Sequence, residues 1–350
     1  MSITFHERPG VYSDYEASSG APVGSTQKVV ALIGLSAAQE GLYHVTSCEE
    51  ALATFGAATE LGGMVRAAYL NGAGKILAYS LQQGTASRYA AAFARVFQER
   101  SAAYCAIGSG EGSIHTAFKT ALLDAAEQKG ECIGIVGLAP DSTETPAQRA
   151  AELDCERMVL LTPSVYGTGE TTAASCGILA AAFAGMLAAE EDPALPVNGV
   201  ALKGFSGVTA AYGDTELDAL VRAGVTVLEC TDGAVRVVRA VTTKQTVGEG
   251  RDATFRELGV IRVIDDVIPA VRRAIAARFS RAKNNAQTRS AIRSCVIVEL
   301  EDRVQREIID GYEGVTVQAA SEDATVCVVG FRFTVTHGLN RVHLTAQITV

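Results

Sequence analysis

The chain has 350 residues, of which 48% are hydrophobic and 20% charged, which is the balance of a globular protein and not of a disordered one. Its net charge of −9 argues against nucleic acid as the main partner, because a duplex-binding surface needs clustered cations. The eight cysteines (48, 105, 132, 155, 176, 230, 295, 327) stand singly with no C-x-x-C pair, so buried thiols in a reducing compartment are expected, not a disulfide frame or a zinc site.

Residues 1–6 alternate, with Met1, Ile3 and Phe5 against Ser2, Thr4 and His6, as a half-buried strand does. Glu7, Arg8 and Pro9 interrupt any signal-peptide core. Residues 7–27 read as an extended arm broken by Pro9, Gly10, Gly20, Pro22 and Gly24. From Lys28 the texture changes to strands alternating with helices. Residues 29–35 are an apolar run fit for a buried strand. Ser47, with Glu50 three residues on, forms the capping-box pattern of a helix start. Strands follow at 75–81, 103–107, 132–138 and 158–162, and helices at 87–99, 113–128, 146–156 and 172–189. The last of these is apolar almost all round, which predicts a well-covered helix too short and too soon ended by acids to span a membrane. A helix at 215–222, a strand at 225–229, an Asp232-Gly233 hairpin turn and a return strand at 235–241 complete the series. This order predicts an α/β layer with a largely parallel sheet.

The polar stretch 242–251 is a plausible boundary, after which helices come first and strands last. Ile268, Val271, Ile275 and Phe279 form one stripe of a helix over 267–279. Ile292, Val296, Leu300 and Val304 suggest a second over 288–306, although 295–298 also reads as a strand. Strands are expected at 315–317 and 326–336, the latter with a bulge at Gly330 where the apolar parity switches. Residues 341–350 alternate without error: Val342, Leu344, Ala346, Ile348 and Val350 against Arg341, His343, Thr345, Gln347 and Thr349. Strands at both ends need hydrogen-bonding mates within the subunit or on another chain. The domains expected are therefore an extended arm (1–27), an outer α/β domain (28–245) and a C-terminal α+β domain (246–350) ending in the strand 341–350.

Signals of chemistry are weak. Residues 71–75 end in Gly-Lys but lack the first glycine and the metal-binding hydroxyl of a phosphate loop. Residues 108–112 are Gly-rich between a strand and a helix, a setting that can cradle an anion, but a plain loop is the simpler reading. Residues 204–208 miss the nucleophile-elbow spacing. Few histidines remain to serve as a base, and His115, in a first helical turn, reads as solvated or capping. The acid pairs Glu49-Glu50, Glu190-Glu191 and Asp265-Asp266 read as solvated helix edges. One charge feature stands out. Between Asp266 and Glu299 there is no acid but seven cations: Arg272, Arg273, Arg278, Arg281, Lys283, Arg289 and Arg293. The stretch is either an ordinary solvated face or a dock for an acidic partner.

Phe5-His6-Glu7-Arg8-Pro9-Gly10-Val11-Tyr12, the segments 255–279 and 285–300, Gly311-Tyr312, Val315-Thr316-Val317 and the strands 326–336 and 342–350 together resemble the tail sheath proteins of contractile phage tails and related injection machines. The turn 337–343 departs from that family's pattern. The resemblance implies a structural subunit, not an enzyme, without cofactor or metal. It implies hexameric rings stacked helically around an inner tail tube protein, with baseplate and tail terminator proteins at the ends. No nucleic acid and no membrane insertion are implied, and assembly is expected in the bacterial host cytoplasm as part of a virion tail or phage-like particle. Intersubunit β-augmentation would use Ile3, Phe5, Val11 and Tyr12 of the N-terminal arm, Val342 to Val350 of the C-terminal arm, and Phe331, Phe333 and Val335 as the receiving hairpin strand. Arg272, Arg273, Arg278, Arg281 and Lys283 would face the tube, and residues 13–27 and 337–340 would act as hinges. The competing expectation is an α/β enzyme of unknown substrate whose terminal strands pair within the subunit and whose pocket lies at the carboxyl ends of the parallel strands.

Overall fold

Strands that are apolar on both sides need helices on both sides, and the chain supplies them in alternation. The computed structural model describes residues 28–139, 145–245, 254–323 and 325–340. In chain order the elements are β1 (Val29–Leu35), β2 (Gly41–Val45), α1 (Cys48–Phe55), α2 (Glu60–Leu70), β3 (Lys75–Leu81), α3 (Ala86–Gln98), β4 (Ala102–Ile107), α4 (Gly112–Glu127), β5 (Ile133–Gly137), α5 (Pro146–Leu153) and β6 (Met158–Thr162). Then come β7 (Val165–Gly167), α6 (Cys176–Ala189), β8 (Ala201–Leu202), β9 (Phe205–Val208), α7 (Asp214–Arg222), β10 (Thr226–Thr231) and β11 (Ala234–Arg239). After a 3-10 turn (Thr254–Arg256) follow α8 (Leu258–Phe279), α9 (Ala286–Gln305), β12 (Ile309–Ala319) and β13 (Cys327–Val335).

Among the described residues, nine strands form one sheet in the order β2-β3-β1-β4-β5-β6-β10-β11-β8. The run from β3 to β10 is parallel, and antiparallel strands close both ends. The pleat sorts the core into two layers. In β1, Val30 and Leu32 join Leu61, Met64 and Phe183 beneath α2 and α6. Ala31 and Ile33 of the same strand join Tyr89, Phe93 and Phe118 beneath α3 and α4. The Asp232-Gly233 turn has φ of 53° and 73°, as the tight hairpin reading requires. Helix α6 is buried on nearly all sides, which its even apolar composition demanded. It lies so close to α2 that a Cβ on Gly185 would stand 2.4 Å from the Ala68 carbonyl oxygen.

Several expectations need correction. Helix α6 begins at Cys176, not at 172, because Ala174 N–H is drawn to the Val165 carbonyl and Ala173 bridges Tyr166. Ser47 does cap α1 by accepting from Glu50 N–H, but the Glu50 carboxylate takes the Thr46 hydroxyl, so the box closes on one side only. Helix α8 starts nine residues before the expected 267, at Leu258, since Leu258 and Ile261 have the sheet core to bury against. Residues 295–298 are helical, and Ile292, Val296 and Leu300 pack toward α8 in a third apolar cluster. Strand β12 begins at Ile309 and is far longer than the expected 315–317. The bulge sits on that strand instead of at Gly330: Glu313 pairs Arg332 while Thr316 pairs Gly330, so the extra residue lies beside Gly314 (φ 65°). Of the thiols expected to be buried, Cys230 is exposed and Cys48 and Cys327 only half-buried.

Candidate assembly surfaces

The antiparallel pair β12–β13 is a two-stranded sheet, so each strand has one ladder and one open edge among the described residues. Its inner face carries Val329, Phe331, Phe333 and Val335, packed against Val263, Val267 and Val296 of α8 and α9. The rings of Phe331 and Phe333 stack at 6.2 Å. These side chains are only partly covered, because two strands are too narrow to shield the helices. Both expected arms, Ile3, Phe5, Val11 and Tyr12 at one end and Val342, Leu344, Ala346, Ile348 and Val350 at the other, lie outside the described residues.

Just beyond β13 the chain is clamped, where a free hinge was expected at 337–340. Asn340 donates to Glu257 Oε1 at 2.6 Å and accepts from Asn198 at 2.7 Å. His337 Nδ1 lies 3.4 Å from Glu257 Oε2, and Arg239 closes on Glu257 Oε1 at 2.7 Å. Gly338 sits so near the Pro196 ring that a Cβ there would come within 2.8 Å. Burial tends to raise the Glu257 carboxyl, but the Arg239 hydrogen bond and charge outweigh it and hold the group below the usual range. Sequence reasoning passed over Glu257, since a lone acid ahead of a helix carries no signal of its distant partners.

The basic stretch divides into committed and free cations. Arg272 forms a two-point pair with Glu131 at 2.7 and 3.2 Å. Burial alone would raise Glu131, yet the Arg272 hydrogen bond brings it below its ordinary value. Arg278 reaches Cys295 Sγ at 3.5 Å, Arg289 the Asn284 side chain, and Arg293 the Val315 carbonyl. Arg273, Arg281 and Lys283 are exposed and make no side-chain hydrogen bond or ion pair among the described residues. The neighbouring acids are not solvated helix edges, as was expected. Asp265 lies mid-helix and mostly buried, paired at 2.9 Å through both oxygens with Arg157, and Asp266 holds Arg303 at 3.3 Å. Burial raises the Asp265 carboxyl, with Arg157 offsetting part of the rise. Arg262, also buried, spends its guanidinium on the carbonyls of Asp192 and Leu195 and on the Tyr104 hydroxyl.

The place where an α/β sheet of this topology takes a ligand is filled. Strand order reverses between β1 and β4, and ligands of open α/β sheets sit at the carboxyl ends there. Leu35 N–H donates to Glu60 Oε2 at 3.0 Å across that point. A Cβ on Gly108 would stand 2.3 Å from the same carboxylate, and one on Gly177 would stand 2.6 Å from Gly108 Cα. Cys176 Sγ caps the Gly108 carbonyl at 3.3 Å. Glu60, which burial raises above the usual carboxylate range, therefore stands where the Gly-rich turn would have to hold an anion. Asn71, in the other glycine-rich turn, ties that turn to Lys203 by two backbone contacts of 2.8 and 3.1 Å. His115 is not solvated but fully buried. Its Nε2 lies 2.9 Å from the Ser109 carbonyl, its Nδ1 has no partner among the described residues, and burial brings it down to about 4. No helix among the described residues is long and apolar enough to cross a membrane.

Two family models match the sequence, described as the phage tail sheath protein central domain over residues 82–243 and the phage tail sheath C-terminal domain over residues 251–349. No curated protein matches it. Among solved structures, the fold is similar to a chain of the anti-feeding prophage baseplate (TM-score 0.76, 15% identity, 99% of this chain and 100% of that one). It is also similar to a chain of the PVC sheath complex, an extracellular contractile injection system in the contracted state (TM-score 0.73, 18% identity, 99% of each chain). A sheath tail protein from Listeria innocua gives TM-score 0.73 at 15% identity, over 89% of this chain and 92% of that one. At these identities the likeness concerns the fold.

Proposed function

This chain belongs to the phage tail sheath protein family and is a structural subunit of a contractile tail sheath, and from that premise we propose how its ends build the sheath. The single observation that carries the proposal is the open-edged β12–β13 pair, whose apolar face is half covered and which leads through a clamped turn into the alternating segment 341–350. Residues 1–27 form an arm, 28–245 an outer domain, and 246–350 an inner domain whose last ten residues reach a neighbouring copy. The strand of that neighbour adds to the free edge, with Phe331, Phe333 and Val335 extending one apolar face beneath it. Main-chain bonds of this kind contribute about 0.5–1.5 kcal/mol each. A handful of them survives rotation of the subunits, because the ladder attends little to side-chain detail.

Subunits joined in this way form hexameric rings stacked helically around an inner tube protein, between a baseplate and a terminator, in a particle assembled in the host cytoplasm. Contraction of the polymer drives the tube. The tube-facing role falls to Arg281 and Lys283, since Arg272 is engaged by Glu131, Arg278 reaches Cys295 Sγ, and Arg273 lines the cleft between α8 and the sheet. Exposed pairs of this type are worth only ~0–1 kcal/mol each, which suits a contact that must let go. The chain performs no catalysis. The filled crevice at the β1–β4 reversal supports this reading over an enzyme.

Deleting Arg341 to Val350 tests the proposal. The truncated protein should remain folded by circular dichroism and stay monomeric in sedimentation, while the full chain forms hollow striated cylinders in negative stain. An unfolded truncation product, or one that still polymerises, overturns the role given to this strand.

A further inference from the structure

The amino ends of β1, β4 and β5 and the middle of α8 border a cleft of about 360 Å³. Three carboxylates line it, and all are engaged: Glu131 by Arg272, Asp265 by Arg157 and Asp266 by Arg303. Six cations line it too. Arg262 and Arg272 are committed as described, and Lys28 donates to the Glu190 carbonyl at 3.0 Å. Arg100, Lys129 and Arg273 make no side-chain hydrogen bond or ion pair among the described residues, although all three are exposed at its rim. Among the described residues the cleft therefore presents free positive charge and no free negative charge.

Backbone geometry supplies a second, independent observation. Arg100 and Lys129 are each the first residue past a helix cap, after α3 and α4, and each has a left-handed φ, 51° and 67°. Glycine adopts that conformation without strain and is the usual residue at this position. The two turns lie side by side, since a Cβ on Gly130 would stand 3.5 Å from Arg100 Cγ. Cations complement the carbonyl ends of the two helices, but that effect leaves unexplained Arg273, which meets them from α8 across the cleft. Strained residues held against an unstrained alternative point to a use for their side chains.

We infer that this cleft receives a carboxylate-bearing segment of a second copy of the chain. The inference rests on the sheath reading, which requires copies of a protein of net charge −9 to approach one another. Such copies repel unless acids on one meet cations on the next, and this cleft is a concentrated seat of uncommitted cations. Burial and then the charge of Arg262 bring the Lys28 ammonium down to about 8, so an incoming carboxylate also relieves a desolvated cation.

The experiment uses the full-length protein, with polymer formation followed by light scattering and electron microscopy. R100G/K129G removes both charges and both strained backbones. It should melt at the same temperature as the parent or higher, while its critical concentration for polymerisation rises about tenfold. A charge-reversing pair, R100E/K129E, should raise it further. In polymers grown from mixed light and heavy nitrogen-labelled protein, a zero-length carbodiimide should join Lys28 or Lys129 to a carboxylate of the differently labelled copy. Unchanged polymerisation of R100G/K129G, cross-links confined to one copy, or cross-links only to a tube protein would each overturn the inference. A parent protein that forms no cylinders at all would instead defeat the sheath reading.

Discussion

The pair Arg157–Asp265 offers the sharpest test of how the C-terminal helices are held to the sheet. Both side chains are mostly buried, with 12% and 16% exposure, and two 2.9 Å bonds join them. Replacing Arg157 by Met keeps the packing volume of the stem but strands the carboxylate. Breaking a buried pair from one side costs about 3–5 kcal/mol, since the remaining charge has neither water nor partner. The double variant R157M/D265L removes that charge and should recover most of the loss, because apolar replacement of both partners is often neutral. The pH dependence has a definite sign. Burial already raises the Asp265 carboxyl, and loss of Arg157 raises it further, so the folded single variant binds a proton more readily than the unfolded chain. Its stability must then fall as pH rises from the unfolded value near ~4 to the new folded value, at about 1.4 kcal/mol per unit. The deficit against the parent should be largest at pH 8 and smallest near pH 4. Urea unfolding followed by far-UV circular dichroism suits a chain without tryptophan. Equal damage in the single and double variants, or a deficit independent of pH, would refute the reasoning.

Two further outcomes follow from packing and burial. At Gly185 an added Cβ meets backbone, 2.4 Å from Ala68 O and 3.0 Å from Ala68 C, so Gly185→Ala must part α6 from α2 and should cost about 1–3 kcal/mol. An unchanged melting temperature would show that the two helices are not locked together. His115 has its folded value lowered to about 4, so between there and the unfolded value near ~6.5 the unfolded chain binds the extra proton. The stability this residue supports is complete above about pH 6.5, and about 3 kcal/mol of it is lost as pH falls to about 4. His115→Gln should be less stable at pH 7 but should converge with the parent on acidification, and parallel stability curves would sink that assignment.

Seven of the nine strands of the sheet and most of its helices were legible because each is either continuously apolar or cleanly periodic, whereas β2 (Gly41–Val45) and β8 were not read. Where legibility failed, tertiary contact had overruled local pattern. No helix was expected at 60–70, where Gly62-Gly63 reads as a breaker. In the fold Gly62 is required, since a Cβ there would meet the Gly56 carbonyl at 2.2 Å, whereas at Gly63 only the end of the Ile178 side chain, 2.8 Å away, would have to shift. Strands β7, β8 and β9 are two to four residues long, too short to leave a period. The buried roles of Asp265 and His115 depend on partners more than a hundred residues away or on coverage by neighbouring elements, and neither leaves a mark in local sequence. The alternating segment 341–350 and the run of cations from Arg272 to Arg293 were visible at once, because periodicity and charge are properties of the chain alone. What could not be read was which cations are already spent.

That distinction shapes the junction between the sheet and the C-terminal region. Helix α8 spans it, burying Leu258 and Ile261 in the sheet core and Val263, Val267 and Val271 against α9 and the hairpin. Beyond the apolar first turns, the contacts that tie the two regions are polar: Arg157–Asp265, Arg272–Glu131, Arg239–Glu257 and Arg262 with two carbonyls and a tyrosine. Polar junctions of this kind resemble transient interfaces more than domain cores. Directional pairs hold one arrangement at modest net stability, whereas a continuous apolar seam would hold it far more strongly and less selectively. On the proposed reading, in which backbone ladders keep the neighbours while the bodies change angle, such a junction serves the subunit. Apolar fusion of that seam, as in R157M/D265L combined with Arg272→Leu and Glu131→Leu, should therefore raise the melting temperature and slow contraction together. A variant that is more stable and contracts at the parental rate would separate the junction from the motion.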